Sequence, residues 1–159
     1  MQPEQVVKLL MKGSEKMPID SFRNEYAFLS NFYECPIPYL GLTFRNAEAA
    51  FQAAKTINPE ERKEFVSLSA SQAKRKGRRV ELRSDWEQVK TTVMREVLRI
   101  KFLDPELSSK LLATGSEELI EGNTWNDRFW GVCRGEGKNM LGKLLMEIRE
   151  ERKDKRWLG

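Results

Sequence analysis

The sequence predicts an α+β fold that is predominantly α-helical, with a small set of short strands near residues 18–45 and 118–133. After residue 46, apolar side chains recur at helical spacing, and small polar residues or prolines precede most of these segments. Residues 18–45 instead carry three prolines and short apolar runs such as CPIPYLGLTF, which is typical of strands and loops. A length of 159 residues fits one domain, and we expect it to span residues 1–159 with its core in 18–150.

The first half of the chain contains four segments with helical signals, and a turn near Tyr39–Leu42 separates two strand-like runs. The four helices are expected over residues 4–12, 46–56, 59–68 and 69–80. Asn46 is a suitable N-cap, because its side chain can accept a hydrogen bond from the first helical turn. Pro59 suits a first turn, where its missing N–H costs nothing, and Ser69 begins the basic helix that follows.

The strongest helical periodicity lies in the second half of the chain. Helices are expected over residues 85–102, 105–115 and 140–155, and a short strand-like run over 118–121. An apolar stripe on the first of these helices contains Trp86, Val89, Val93, Val97 and Ile100. Asp85 and Asp104 occupy N-cap positions, and Gly115 occupies the position that follows a helix end. Residues 150–159 are expected to form a charged helix end that faces solvent.

The absence of histidine excludes several classes of chemistry. The chain has 28 Lys and Arg, 24 Asp and Glu, and no His. Ser-His-Asp and Cys-His nucleophiles, imidazole acid–base catalysis and imidazole metal sites are therefore excluded. Any catalysis must use carboxylates, lysine, tyrosine, cysteine or backbone groups. The net charge of +4 has two readings, solubility alone or attraction to a phosphorylated or polyanionic partner.

Two features of the sequence bear on its location in the cell. Cys35 and Cys133 are too few for a disulfide framework or a four-cysteine zinc site, and two free thiols are favoured over one bridge. The N-terminal residues contain no apolar stretch long enough for a signal peptide or a membrane span. We therefore expect a cytoplasmic protein that has no membrane partner.

One polar stripe is a candidate catalytic face. Glu48, Gln52 and Lys55 fall at i, i+4 and i+7 of the helix expected over 46–56, so they share one side of it. The functional reading is a catalytic carboxylate, a polar neighbour and a lysine that stabilises anionic groups. The structural reading is an ordinary solvated helix face, which is the norm and which the spacing alone favours.

Two loop segments offer further candidates. Residues 123–131, NTWNDRFWG, hold two tryptophans and a phenylalanine that either pack in the core or wall a pocket for a planar ligand. Asp127 is a second carboxylate at such a pocket. Residues 131–142, GVCRGEGKNMLG, bring three glycines to a helix start, where free N–H groups can bind an anion. Their spacing does not match a P-loop, and a plain glycine turn is the alternative.

A basic run over residues 73–83 offers a function of another class. Its side chains can contact the phosphates of a nucleic acid. They are Lys74, Arg75, Lys76, Arg78, Arg79 and Arg83. No aromatic residue is interleaved with them, so this segment is not expected to stack bases, and a solvated helix face is the alternative.

Taken together, these segments resemble the NADAR family, also called YbiA-like proteins. The matching pieces are FLSNFY at residues 28–33, AEAAFQAAK, AKRKGR, LRSDWEQVKTTVMREVLRIKF, LLATG and WNDRFWGVCRGEGKNMLGKLLMEIR. They occur in the family's order over roughly residues 22–149. The resemblance therefore implies a single YbiA-like domain.

The resemblance also implies an N-glycosidase, which cleaves the C–N bond between a ribose and a base-like amine. Substrates associated with the family are phosphoribosylamino-pyrimidine intermediates of riboflavin synthesis and ADP-ribosyl groups on nucleobases, and no metal or cofactor is expected. Carried over by position, the catalytic roles fall on Glu48, Lys55 and Asp127. Contacts to substrate are expected from Arg23, Asn31, Phe32, Gln52, Trp86, Trp130, Gly131, Gly135, Gly137 and Asn139.

One position departs from the family pattern. The family commonly has a histidine directly after the helix glutamate, and here that position is Ala49. It lies about 100° around the helix from Glu48, so it need not face the same pocket.

Lys55 leaves a second route open, a Schiff base with ring-opened ribose. Both a free metabolite and an ADP-ribosylated nucleic acid fit the expected ligand.

Two functions of other classes stay open beside the enzyme. One is a non-catalytic module that binds ADP-ribose or a related nucleotide, which the missing histidine would favour. The other is a basic nucleic-acid-binding protein that uses the run over residues 73–83.

Overall fold

The computed structural model describes residues 17–158, with side chains described up to Asp154, and it confirms a mainly helical α+β domain. The helices are α1 (Ala47–Ala53), α2 (Pro59–Lys63), α3 (Ala70–Lys76), α4 (Trp86–Lys101), α5 (Pro105–Ala113) and α6 (Met140–Leu158). The strands are β1 (Glu34–Tyr39), β2 (Leu42–Asn46), β3 (Gly122–Asn123) and β4 (Val132–Cys133), and a 3-10 helix spans Asn24–Leu29. The helix expected over residues 4–12 lies outside the described residues.

The strands form two small pairs on separate parts of the chain. β1 and β2 are antiparallel and are joined by the expected turn, in which Leu40 has φ 54° and Gly41 has φ 74°. Two successive positive φ angles match the twist of a tight hairpin, and glycine adopts such an angle without strain. β3 and β4 are parallel, with Gly122 opposite Val132.

Side chains that the sequence predicts as caps begin several helices. Asn46 Oδ1 accepts a hydrogen bond from the N–H of Ala49 at 2.7 Å. Asp104 Oδ1 accepts one from the N–H of Leu107 at 3.0 Å, and Ser69 forms a reciprocal capping box at the start of α3. These bonds satisfy N–H groups that have no partner within the helix, so the sequence signals mark real boundaries.

Asp85 occupies the N-cap position of α4, as expected, but its side chain makes no capping hydrogen bond. Its carboxylate instead accepts two hydrogen bonds from the Arg83 guanidinium, at 2.6 and 3.0 Å. This bidentate, charge-assisted pair engages both carboxylate oxygens, one with Nε and one with Nη2 of Arg83.

Several other elements differ from the expected boundaries. Helices α2 and α3 end at Lys63 and Lys76, earlier than expected. After α2 the chain continues in i→i+3 turns that bury Phe65, and after α3 it passes the poor helix former Gly77. Among the described residues, the run over 118–121 makes one isolated bridge, between Leu119 and Ile19, rather than a strand.

Helix α1 occupies the centre of the domain. It packs against α3 and α4, while the β1–β2 hairpin and α6 also pack against α4. Every residue of α1 is buried, and its alanines allow the neighbouring backbones to approach closely. Alanine also has the highest helix propensity, so a short segment rich in it forms a helix at low entropic cost. Because α1 is central, its polar side chains, Glu48 and Gln52, are buried inside the domain.

Candidate active site

Helix α1 carries the predicted catalytic stripe into the interior of the protein. Glu48 and Gln52 are only 8% and 5% exposed, so the interpretation of this stripe as a solvated face is wrong. Gln52 Nε2 donates a hydrogen bond to Glu48 Oε1 at 2.8 Å, one helical turn away. A carboxylate buried this deeply requires a hydrogen-bond partner, and the i, i+4 spacing supplies one. Ala49 is fully buried in the core, which agrees with its position off the stripe.

Lys55 stays on the same side of the chain although α1 ends at Ala53. The last turn tightens, because the N–H of Lys55 donates to the carbonyl of Gln52 at 3.1 Å. The carbonyl of Lys55 in turn accepts the N–H of Arg83 at 2.8 Å, which fixes the backbone. The half-buried ammonium lies 6.0 Å from the centroid of the Trp86 ring.

A cavity of about 470 Å³ opens above this stripe, and its size is typical of a small-molecule site. It is lined by all three predicted catalytic residues, Glu48, Lys55 and Asp127. The predicted contact residues that also line it are Arg23, Asn31, Phe32, Gln52 and Trp130. The structure therefore brings together most of the residues that the sequence indicates, from three distant parts of the chain.

Burial shifts the protonation of the two central groups in opposite directions. It raises the pKa of the Glu48 carboxyl, against the Gln52 hydrogen bond and the charges of Lys74 and Lys55, which lower it. It lowers the pKa of the Lys55 amine, against the opposing charge of Glu48. A carboxyl that protonates more readily and an amine that becomes neutral more readily are both suited to proton transfer near neutral pH.

Two aromatic rings form one wall of the cavity. Phe51 and Trp130 meet edge to face, with centroids 5.4 Å apart and an interplanar angle of 85°. Trp86 does not line the cavity, which corrects the expectation that it contacts substrate. It is 5% exposed and packs behind Phe51, with centroids 5.1 Å apart. Trp86 therefore supports the wall and the Lys55 side chain from inside the core.

Asp127 lines the cavity and also shapes the loop around it. Its Oδ1 accepts the N–H groups of Phe129 at 3.2 Å and Trp130 at 2.9 Å. The side-chain amide of Asn123 makes two hydrogen bonds with the backbone of Asp127. Its Nδ2 donates to the Asp127 carbonyl at 2.8 Å, and its Oδ1 accepts the Asp127 N–H at 3.0 Å. This carboxylate thus holds the turn that places the Trp130 ring.

The glycine-rich segment does not supply the expected anion site. The cavity lining contains none of Gly131, Gly135, Gly137 and Asn139. The N–H groups of residues 139, 140 and 141, which open α6, donate to the carbonyls of residues 131, 129 and 130 at 3.2, 3.1 and 2.9 Å. Loop carbonyls therefore occupy the donors that a phosphate would use.

The side chains of this segment have structural roles. Asn139 accepts the N–H of Glu121 and donates to the carbonyl of Leu119, both at 2.9 Å. A Cβ on Gly137 would lie 2.1 Å from the carbonyl oxygen of Gly131, so this position requires glycine. The family-like pattern of this segment therefore reflects packing.

Glu121 is a cavity residue that the sequence reasoning missed. Its Oε2 accepts a hydrogen bond from Asn123 Nδ2 at 3.1 Å, and burial raises the pKa of its carboxyl. A Cβ on Gly131 would lie 2.0 Å from that oxygen, so the glycine makes room for the carboxylate. Its place in a strand-like run concealed it, because an acidic residue there suggests a solvent-facing position. The other lining residues not predicted are Phe22, Ser30, Phe51, Lys74, Met94, Gly122, Trp125 and Leu141.

The loop over residues 30–32 forms the opposite wall and is fixed from below. Lys101, at the end of α4, is 2% exposed and donates to the carbonyl of Ser30 at 2.8 Å. Asn31 Nδ2 donates to the Sδ atom of Met94 at 3.4 Å, while its Oδ1 is buried with no partner among the described residues. An unpaired amide oxygen at a cavity wall is suited to accept a hydrogen bond from a ligand.

The basic run does not form one continuous cationic face. Ala73 and Gly77 are buried, and Lys74 lines the cavity. Lys76 pairs with Glu64 at 2.7 Å, and Arg83 pairs with a carboxylate as described above. The exposed arginines of the run lie at positions 75, 78 and 79.

Two further observations concern groups and segments outside this cavity. In the described part of the chain, no cluster of three or more Cys, Asp or Glu side chains is arranged to hold a metal ion. Over the same residues, no helix is both long and apolar enough to cross a membrane.

Comparison with known proteins places the chain in a family. The NADAR domain matches residues 19–152. The chain is 43% identical over 136 residues to N-glycosidase YbiA of Escherichia coli strain K12, which covers 82% of this chain and 84% of that protein. It is 39% identical over 131 residues to a riboflavin biosynthesis protein of Vibrio vulnificus, which covers 79% of this chain and 35% of that protein.

A solved structure has the same fold. The NMR structure of E. coli YbiA matches with a TM-score of 0.79 and 39% identity, over 90% of this chain and 89% of that one. The fold, the carboxylate-lined cavity and the similarity to named N-glycosidases define an enzyme of the N-glycosidase class. The chain belongs to the NADAR family.

Proposed function

We propose that this chain hydrolyses the C–N bond between a ribosyl group, phosphoribosyl or ADP-ribosyl, and a base-like amine. The observation that carries the proposal is Glu48, a buried carboxylate in a ligand-sized cavity with Gln52 on one oxygen and Lys55 on the same wall. The names of the relatives support the class of reaction, and a free metabolite and an ADP-ribosylated nucleic acid are both candidate substrates.

Direct hydrolysis needs one group to stabilise the reacting carbon and one to protonate the leaving base. The C–N bond breaks, the base leaves with the bonding pair, and the ribosyl carbon acquires oxocarbenium character. Ionised Glu48 stabilises that charge and takes a proton from the attacking water. A protonated carboxyl delivers a proton to the base, and Glu121, whose pKa is raised by burial, is the candidate at the cavity. Asp127 is a second carboxylate at the same cavity.

Lys55 provides a second route through an imine. The ribose ring opens to give a C1 iminium, to which the neutral Lys55 amine adds. The bond between C1 and the base nitrogen then breaks, the base takes a proton, and water hydrolyses the remaining C1–lysine imine to an aldehyde. The lowered pKa of Lys55 supports this route, because it increases the fraction of neutral amine.

The rest of the cavity has binding roles in this proposal. Phe51 and Trp130 flank the base, while Arg23, Lys55 and Lys74 neutralise phosphate groups of the substrate. The reaction uses no metal or cofactor. We place the enzyme in the cytoplasm, and the free thiols of Cys35 and Cys133 are consistent with that location.

The test is release of the base by wild type and by Glu48→Gln, followed by chromatography. Both variants are incubated with a phosphoribosylamino-pyrimidine and with an ADP-ribosylated guanine nucleoside. We expect release by wild type and a loss of at least ~100-fold in Glu48→Gln. Ligand-induced thermal stabilisation of wild type without any base release would instead identify a binding module, and the proposal would be rejected.

A further inference from the structure

The mouth of the cavity carries an unusual pair of exposed rings. Among the described residues, the large apolar side chains that are mostly exposed include two aromatics, Phe32 at 45% and Trp125 at 52%. Both line the same cavity, although they are far apart in the sequence. Single exposed apolar residues are ordinary, but two rings at one cavity form an apolar surface that a ligand can cover.

The Lys74 ammonium lies close to both rings, Phe32 and Trp125. Its Nζ lies 5.9 Å from the centroid of Phe32 and 5.4 Å from that of Trp125, within the range of cation–π attraction for both. The Lys74 charge lowers the pKa of the Glu48 and Glu121 carboxyls, but among the described residues no carboxylate oxygen forms an ion pair with its ammonium. Its charge is therefore available to an anionic group placed between the rings.

The rings are distinct from the wall of the inner site. Phe51 and Trp130 pack edge to face with each other and continue into the core through Trp86, so they belong to the interior. Phe32 and Trp125 are instead held by their loops and keep about half of their surface in solvent. The cavity thus has two aromatic zones, one beside Glu48 and one at the mouth.

We propose that Phe32, Trp125 and Lys74 form an outer subsite that stacks a second planar ring of the substrate and binds the phosphate next to it. The inference rests on the proposed function only in that this ring belongs to the molecule whose C–N bond is broken at Glu48. The shared chemistry is a nucleobase beside a phosphate. It has two sources, the far nucleoside of a free dinucleotide-like molecule or the neighbouring base of a nucleic acid strand.

Binding measurements on the intact protein test the subsite without turnover. Isothermal titration calorimetry is performed with adenosine, AMP and ribose 5-phosphate. We expect AMP to bind more tightly than ribose 5-phosphate, and Trp125→Leu or Phe32→Leu to weaken both adenosine and AMP by roughly 5- to 150-fold, the range of a single base–aromatic stack. Lys74→Gln should weaken AMP and leave adenosine unchanged, since it removes a charge and not a ring.

Leu103→Ala is the matched control, because Leu103 is 59% exposed, is apolar and lies outside the cavity lining. AMP affinities of the two ring variants equal to that of this control would overturn the subsite. The source of the ring is read from oligonucleotides of increasing length. Affinity that rises with length and falls steeply with salt identifies a strand, whereas affinity independent of length identifies a free nucleotide.

The subsite and the proposed reaction can fail separately. Base release without any dependence of AMP binding on Phe32 or Trp125 overturns the subsite and leaves the reaction standing. Ring-dependent AMP binding in a protein that releases no base supports the subsite and overturns the reaction.

Discussion

Gln52 and Glu48 are linked by a hydrogen bond of 2.8 Å between side chains one turn apart in a fully buried helix. The bond favours the ionised carboxylate, yet burial outweighs it and leaves the pKa of Glu48 raised. A raised pKa in the folded state means that ionising this carboxyl opposes folding. The candidate catalytic group, when ionised, therefore lowers the free energy of unfolding.

We predict that Glu48→Gln is more stable than wild type near neutral pH. Below the unfolded pKa of about 4.3 the carboxyl is protonated in both states, and the two proteins differ least. As the pH rises through the folded pKa, wild type loses stability that the neutral amide retains. Chemical unfolding of both proteins at several pH values measures the difference, which should grow with pH.

The matched control for that experiment is Glu81→Gln, because Glu81 is exposed. This substitution removes the same charge without removing a buried one. A pH-dependent gain of equal size in both variants would show that the effect comes from net charge rather than from burial of Glu48.

Lys55 is predicted to form a trappable adduct if the imine route operates. Borohydride added during turnover reduces the C1–lysine imine, and mass spectrometry should then locate a ribosyl-derived addition on Lys55. Lys55→Arg keeps the positive charge and removes the nucleophile, so it should abolish the adduct. The control, Lys143→Arg, changes an exposed lysine outside the cavity lining and should leave the adduct intact. Turnover with no adduct on wild type assigns the reaction to direct hydrolysis.

Two variants of Asp127 should distinguish its role in holding the loop from a role in catalysis. Asp127→Asn keeps an oxygen that can accept the N–H groups of Phe129 and Trp130, whereas Asp127→Ala removes it. Loss of such a cap costs about 1 kcal/mol, so the alanine variant should unfold at lower denaturant than the asparagine variant. If Asp127 also acts in catalysis, the asparagine variant is stable but slow in base release. Wild-type rates in that variant would restrict Asp127 to a structural role.

Lys101 should give the protein a pH-dependent stability in the alkaline range. Burial lowers the pKa of Lys101 to about 8, while an unfolded lysine titrates near 10.4. Between about pH 8 and pH 10 the unfolded chain binds more protons, so wild type gains stability relative to Lys101→Met, by about 1 kcal/mol per pH unit. Urea unfolding at two pH values in this range measures the change. A constant difference between the two proteins would contradict it.

The course of the chain follows from local signals to a large degree. Asn46, Ser69 and Asp104 begin their helices as their side chains predict, and the hairpin turn falls where a glycine permits positive φ. These features depend on residues a few positions apart. Asp85 also precedes its helix as predicted, but its carboxylate binds Arg83 instead of the first turn, which the capping preference alone does not predict.

The sequence predicts which residue types form the site, but it does not predict how deeply they are buried. The stripe of Glu48, Gln52 and Lys55 follows from helical periodicity, but its burial depends on chain segments that lie far away in sequence. For the same reason the sequence predicts a substrate contact for Trp86, which is buried, and leaves Trp125 open between the core and a pocket wall. The two tryptophans look alike in sequence, and only packing against Phe51 separates the buried one from the exposed one.

The hydrogen bonds between the carbonyls of residues 129–131 and the N–H groups that open α6 determine how a ligand arrives. The loop that carries Trp130 cannot move away without breaking these three hydrogen bonds to the start of α6, a helix that packs on α4 and α5. A ligand can instead enter past the exposed rings of Phe32 and Trp125. Exposed side chains change rotamer on a picosecond-to-nanosecond timescale. Rotation of two side chains at the mouth is therefore the smallest motion that widens the entrance, and it breaks none of the backbone hydrogen bonds that hold the Trp130 loop.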